Sequence, residues 1–507
     1  MASEPQFEPR LKLHPLSWLF ALVTYVRQLI VPLAAIVIFG ANDDTALWGL
    51  FAIVPLLAIA LWHQWIYRYG FGPRGLVIQE GLLFRNVRQI EYPRIENIDV
   101  ERGLLHRLLG VAQVSIATST GGKAEASIRV LSLAAVQEMR ERIFTQARTS
   151  REQQAVETGS ALLHLPPSEL VRYGFIDNRG MIIVAALAGV VYQSGFVELL
   201  RAHLDDWLDS RQLAEFAALG FAMQVAFAAI VVLAIFASLR LLSVVLALIT
   251  LFDFTLTRDG QDLRIRHGLL TRLALTLRVK RVQAVHRSET LLHRWFGRVS
   301  LRVDLAGDSG ADRQGKQQSQ NRTRWLAPIC TAEQAQVLIA AALPEVDLTA
   351  EPDWQPLAPR AGVRLFKQTI YVWAVLTLAG FAATQLIPHL VGFDSGWVLL
   401  FALVGPLVAW ARSHIYVRHT RWALTPGAIL FRYGWLTRRL IIAPRQRVQS
   451  VTLSASPFDR RYAMAAVFVD TAGAGALHDR IRIPMLPRLI AEQLAIALYA
   501  LPPQGIS

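Results

Sequence analysis

Three stretches of this 507-residue chain align without a gap. The first reads GLLFRNVRQIEYPRIENI from Gly81, the second GLLTRLALTLRVKRVQAV from Gly268, and the third GWLTRRLIIAPRQRVQSV from Gly434. The likeness continues in register through LLHRLLG from Leu104, LLHRWFG from Leu291 and PFDRRYA from Pro457. Alternating stretches then follow, VAQVSIAT from Val111, RVSLRVDL from Arg298 and MAAVFVDT from Met464. Whatever one copy folds into, the chain must build three times.

Period-two alternation with β-branched residues predicts half-buried strands. Each copy closes on a predicted amphipathic helix: Leu133–Phe144 behind Ser132, Ala332–Leu343 behind Thr331, and Pro487–Leu498 opened by its proline. One module is therefore several short antiparallel strands and then one helix. Polar or Pro-rich linkers, Thr145–Ser160 and Pro344–Pro359, separate the copies.

The segments ahead of the modules are of another kind. Only 18% of the residues are charged and 53% are hydrophobic, where a soluble chain carries about 25% charged residues. Apolar runs of about 20 residues, enough to cross a bilayer, are predicted at Leu19–Phe39, Ala46–Ile66, Met181–Val197, Thr369–Pro388 and Gly396–His414. A further run, Ala214–Phe252, is interrupted by Arg240. We read Ala214–Leu239 as the span and Leu241–Phe252 as a cytoplasmic extension or an interfacial stretch, with a two-span reading as the rival. Arg27 and Arg240 read as snorkelling anchors.

Charge placement sets an expected orientation. The links Gly40–Thr45 and His389–Ser395 contain no Lys or Arg, the middle link Glu198–Leu213 sets Arg201 and Arg211 against four acidic residues, the modules are rich in Arg, and the net charge is +14. Short basic segments stay in the cytoplasm. The expected location is the cell inner membrane, with both termini and all three modules on the cytoplasmic side. The division by residue number is 1–66 for the first helical hairpin, 67–145 for module one, 146–252 for the second hairpin, 253–344 for module two, 345–416 for the third hairpin and 417–507 for module three. The expected fold class is a multi-pass α-helical membrane protein with three repeated α+β modules. The N-terminal dozen residues do not read as a cleavable signal.

Catalytic signatures are absent from this reading. The run STGGKA near Gly122 lacks the upstream glycine and following hydroxyl of a P-loop, and no H-E-x-x-H occurs. The single cysteine, Cys330, excludes an internal disulfide and a Cys-based zinc cluster. His106 and His293 hold equivalent repeat positions and read as turn-capping or packing residues. No cofactor and no nucleic-acid partner is expected. The basic charge is explained by the bilayer, with a partner membrane protein, a homo-oligomer and anionic lipid headgroups as further candidate partners. Arg-aliphatic-Gln/Glu triplets recur as Arg94 with Glu96, Arg281 with Gln283, and Arg447 with Gln449. Two readings stay open for these six: a structural bond at a strand end, or a site for an anionic group.

With its G-[LW]-L openings, the triplets, the LLHR-type turns closing on Gly110 or Gly297, and a helix pair ahead of each module, the chain resembles the YdbT-like bacterial membrane proteins that carry pleckstrin-homology-type, YdbS-like domains. The resemblance implies a small PH-like antiparallel β-sandwich or barrel with one C-terminal helix, and it implies no catalysis. The chain departs from the pattern at Glu96, at Asp459 in place of His, and at Ala463 in place of Gly. The expected function is a non-enzymatic scaffold or binding protein at the cytoplasmic face. The alternative is a transporter or channel component that the modules regulate.

Overall fold

A computed structural model describes residues 11–12, 17, 20, 62, 67–72, 75–80, 86–92, 95–118, 124–139, 161–177, 189, 220–306, 325–347, 351–386, 395–471 and 481–499. The predicted spans Leu19–Phe39, Ala46–Ile66 and Met181–Val197, and the linker Thr145–Ser160, lie essentially outside them. The chain divides into two units, Met1–Thr276 and Leu277–Ser507.

In the first unit β1 (Leu11–Lys12), β2 (Arg68–Phe71), β3 (Gly75–Glu80) and β4 (Asn86–Glu91) form one antiparallel sheet in that order. A second sheet holds β5 (Ile95–Arg102), β6 (Val111–Thr118), β7 (Ala124–Ser132), β8 (Ala161–His164), β9 (Thr255–Asp259), β10 (Asp262–His267) and β11 (Arg272–Arg278), in the order β7-β6-β5-β11-β10-β9-β8. The first repeat closes as a sandwich. Tyr69, Leu76, Ile78 and Ile90 from one sheet pack on Ala112, Val114, Ile116 and Leu131 from the other, and Val136 and Met139 of the helical stretch 133–139 close the end. Ser132 caps that stretch by accepting from the Ala135 amide at 3.2 Å.

The second unit repeats the plan. Its large sheet runs β14-β13-β12-β18-β17-β16-β15, built from β12 (Val282–Glu289), β13 (Val299–Leu305), β14 (Trp325–Cys330), β15 (Gln355–Pro356), β16 (Arg421–Leu424), β17 (Ala428–Tyr433) and β18 (Arg438–Pro444). A three-stranded sheet of β19 (Val448–Ser454), β20 (Met464–Thr471) and β21 (Ile481–Pro487) faces it. Trp422, Ile429, Phe431 and Ile441 meet Val467, Val469 and Ile483 in the third repeat's core, with Ala491, Leu494 and Leu498 of the closing helix.

Short helices α1 (Leu104–Leu108), α4 (Leu291–Trp295) and α8 (Pro457–Arg461) occupy the LLHR-type turns. The remaining helices are α2 (Pro167–Ile176), α3 (Phe221–Leu251), α5 (Ala332–Ala342), α6 (Ala361–Leu386), α7 (Ser395–His419) and α9 (Arg488–Tyr499). Thr331 caps α5 in a reciprocal box with Gln334, as its sequence position predicts.

Helices α3, α6 and α7 are long and apolar enough to cross a membrane, and few of the residues in their apolar stretches are buried. Antiparallel sheet is comparable in extent to helix among the described residues, so the chain is not mainly a bundle of membrane helices.

Three expectations change. Helix α3 is continuous through Arg240 and begins only at Phe221, after Gly220. At 31 residues it is about 46 Å long. Its last turns bury Ser243, Ala247 and Leu251 in the region where α2 packs, so protein, not a chain break, accounts for the excess over one bilayer. The guanidinium of Arg240 donates to the carbonyls of Phe175 at 2.8 Å and Asp177 at 3.4 Å, at the C-terminal end of α2. Helix α6 starts eight residues before the predicted span and includes Arg364 and Lys367. The linker 344–359 contributes β15 and buries Leu357 and Ala358 in the third repeat's core. The boundary between the two units falls inside the second repeat, whose first three strands extend the first repeat's sheet.

Equivalent glycines explain part of the repeat. Gly110 and Gly297 take φ of +66° and +61°, closing the turn after α1 and α4. Ala463, at the same place after α8, takes φ +52°, which costs an L-residue about 1 kcal/mol. We expect Ala463→Gly to stabilise the chain by about 0.5–1 kcal/mol and Gly297→Ala to destabilise it by a similar amount. Thermal unfolding of the purified protein, with opposite shifts in Tm, checks both.

Candidate functional site

The Arg-aliphatic-Gln/Glu triplets sit where β4-, β11- and β18-type strands pass into the next strand. Arg94 lies outside the described residues. Glu96 is in β5, and its side chain lies outside them. Arg281 ends a 3-10 turn, Val279–Arg281, and its guanidinium donates to the Ala306 carbonyl at 2.8 Å. Gln283 is buried and its amide reaches the Arg281 carbonyl at 3.4 Å. Arg447 ends the matching turn, Arg445–Arg447. It donates to the carbonyls of Val279, at 2.9 Å, and Val282, and pairs with Glu345 beyond α5. Gln449 is exposed on β19. The two described triplets each sit at their own turn, but the Arg447 side chain reaches the turn that carries Arg281. Arg447 fastens the third repeat to the second.

The short turn helices make the same kind of joint. Arg107 of α1 donates to the carbonyl of Leu269 at 3.0 Å. Arg294 of α4 donates to those of Trp435 at 3.2 Å and Leu436 at 3.4 Å. Leu269 and Trp435 are the second residues of their repeats, so one arginine per repeat binds the opening turn of the next. His293 caps α4: Nδ1 lies 2.8 Å from the Thr290 hydroxyl and Nε2 2.8 Å from that of Ser300.

Asp459, the departure from His, builds the same capping box with Ser456 and adds an ion pair to Arg364 of α6. Burial works against its charge. Hydrogen bonds from Ser456 and Arg364 outweigh that and hold the carboxyl below its ordinary value. Lys367 lies over the Tyr462 ring at 5.6 Å. The basic residues ahead of the fifth predicted span therefore dock the membrane helix onto the module.

At the joint between the second and third repeats a cleft of about 320 Å³ opens. Register pairs Arg287 of β12 with Leu440 of β18, and Leu440 with Arg432 of β17, so these side chains form one row across three strands. Glu289 and Arg438 pair two positions along and share that face. Trp354, just before β15, and Arg439 complete the lining. Four arginines thus meet one carboxylate, Glu289, which bonds Arg287 at 2.6 Å. The Arg432 guanidinium lies over Trp354 at 4.7 Å. Burial, with the charges of Arg421 and Arg438, lowers the Arg432 pKa against the pull of Glu289. Chemically the cleft is suited to hold an anion through charge and planar multi-donor hydrogen bonds.

Sequence pattern did not reveal this cleft. Arg432 and Arg438 are close in sequence, but Arg287 joins them only through a strand pairing across more than 140 residues. Among the described residues no three or more His, Cys, Asp or Glu side chains gather as metal ligands. Cys330 is buried, and burial pushes its thiol up to about 12.

Comparison with known proteins matches these repeats one by one. The bacterial PH domain family matches at residues 19–147, 209–339 and 374–501, each match covering a module together with apolar sequence ahead of it. The chain is similar to the transmembrane protein YdbT of Bacillus subtilis (strain 168), 23% identical over 484 residues that cover 91% of each chain. No solved structure matches.

The Asp459 link carries a pH prediction. Its carboxyl is depressed when folded, so its stabilisation is complete above the ordinary Asp pKa of about 3.9 and fades as pH falls through the folded value. Asp459→Asn should lower stability at pH 7 by about 2 kcal/mol. Its Tm should converge on that of the parent chain as the pH is taken down through that range.

Proposed function

Because the chain belongs to the bacterial PH domain family, we propose that it is a non-enzymatic, multi-pass inner-membrane scaffold that presents three PH-like modules to the cytoplasm and to anionic headgroups of the inner leaflet. One observation carries the proposal. Strands β1, β8 and β15 precede the helical segments, and β2, β9 and β16 follow them, yet each preceding strand is hydrogen-bonded to its follower. Leu11 pairs with Tyr69, His164 with Thr255, and Gln355 with Trp422. Backbone hydrogen bonds of this kind need both strands in one compartment. Each helical segment therefore leaves and returns on the same side, through an even number of crossings. Helices α6 and α7 supply such a pair in the third segment.

The arginine-lined cleft supplies the binding function of this reading, since phosphate-bearing headgroups match guanidinium donors in charge and geometry. The basic excess of the modules favours their cytoplasmic placement. The space between α6 and α7 is lined by Trp373, Phe381, Leu399 and other apolar groups, with Thr377 as its polar member. It offers no ionisable group of the sort a substrate pathway uses.

Two measurements test the proposal. Leu108, Trp295 and Phe458 are well exposed on the three turn helices. Cysteines placed there one at a time should react with a membrane-impermeant maleimide only after the cytoplasm is opened, while Cys330 stays silent. Labelling of one module in intact cells would overturn the placement. Dioctanoyl phosphatidylglycerol should raise the Tm of the detergent-solubilised protein more than dioctanoyl phosphatidylcholine does. The double variant Arg432→Gln/Arg438→Gln should weaken that response several-fold. Equal shifts with both lipids would remove the headgroup role.

A further inference from the structure

We infer that the chain assembles head to tail with a second copy of itself, β19 of one copy adding to the edge of β4 in the next. The inference deepens the scaffold reading and rests on it, but not on which headgroup the cleft takes.

The two joints already inside the chain show what such an edge is for. At the first, β5 pairs with β11 in the register Arg102 with Arg272, Glu101 with Leu273 and Val100 with Ala274. At the second, β12 pairs with β18 in the register Glu289 with Arg438, Ser288 with Arg439 and Arg287 with Leu440. Under the repeat alignment these are the same pairs, position for position. The arginine bond repeats as well, Arg107 to Leu269 and Arg294 to Trp435.

Among the described residues, one half of this joint is left over in the first repeat and the other in the third. In the third repeat β19 is the counterpart of β5 and β12, and it stands at the edge of its sheet among the described residues. In the first repeat β4 is the counterpart of β11 and β18, and it too is an edge. Arg460, the counterpart of Arg107 and Arg294, is exposed and its side chain has no partner among the described residues. Continuing the shared register pairs Leu453 with Val87, Thr452 with Arg88 and Val451 with Gln89. Leu453 is 42% exposed and Val87 57%, so the register brings two bare apolar side chains face to face.

Edge strands are usually guarded by charge, proline or bulges. The β19 sequence VQSVTLS has no charge and no proline. Its residues are mostly exposed, whereas Val282, Gln283, Ala284 and Val285 at the matching positions of β12 are buried. The occupant is thus specified by chemistry the chain already uses twice: a first-repeat β4 edge, from another copy. Held in one bilayer, copies meet at high effective concentration, so a contact of a few strand pairs suffices. Such a heterologous contact gives a ring if its rotation closes and an open row if it does not.

The test uses full-length protein in native membranes, with Cys330→Ala throughout. Leu453→Cys and Val87→Cys are placed on separately tagged copies and co-expressed, then mildly oxidised. The expected result is a mixed disulfide dimer that neither single variant forms alone. Absence of the mixed dimer would overturn the inference. So would an equal yield from Leu453→Cys alone, which would mean β19 pairs with itself. In parallel, Leu453→Lys and Arg460→Ala, both at exposed positions, should lower the oligomeric fraction in nanodiscs severalfold with Tm unchanged. An unaltered oligomeric fraction would overturn it too. Neither outcome touches the maleimide or lipid measurements, so the membrane reading stands or falls separately.

Discussion

Everything about the architecture follows from a backbone hydrogen bond that cannot be made across a bilayer. A strand of two to four residues ahead of each helical segment pairs with the first strand behind it. The pairing is small in area, yet on the proposed reading it decides topology, because it would hold the exit and the re-entry of the chain at neighbouring positions. Packing then builds on that anchor. Leu163 and Leu165 are buried beside β8, and Leu357 and Ala358 beside β15. In the third repeat the ion pair from Arg364 to Asp459 ties the first turn of α6 to the turn helix α8. A membrane helix that enters its module through a partly buried ion pair is held in orientation as well as position, since loss of either partner leaves the other charge poorly solvated.

Consecutive repeats are joined by the same means. The six strands of the second repeat divide between two sheets, three continuing the first repeat and three continuing into the third. PH-type domains are thus not threaded on flexible linkers here. Within each unit the sheet itself is the connection, and the anion-suited cleft of Arg287, Arg432 and Arg438 exists only where strands of two repeats lie side by side.

Much of this was legible in the sequence. The gapless repeat located the turns, and Gly110 and Gly297 marked their left-handed residues. Thr331 and Ser132 located helix starts, since capping is a local interaction. The apolar runs of α6 and α7 were visible by composition. Less was legible where the cause is non-local. Strands as short as β1 and β15 have no periodicity to read. Arg240 resembled a break in an apolar run because its partners, the carbonyls of Phe175 and Asp177, lie more than 60 residues away. The triplets recur in the sequence. Their different bonds, Arg281 within its repeat and Arg447 across to the neighbouring one, depend on edge pairing that alternation alone does not specify.

The identity of the two internal joints bears on how such a chain changes length. Register and arginine contact are the same at both, so the edge offered by β5 is of the same type as the one β18 already accepts from β12. Loss of the whole middle repeat, hairpin and module together (residues 146–344), would leave the β5 and β18 edges to pair with each other, and these need no new chemistry. Duplication of that repeat would likewise insert matching edges. Proteins of this kind with fewer or more units can therefore arise by single recombination events, with no interface to reinvent.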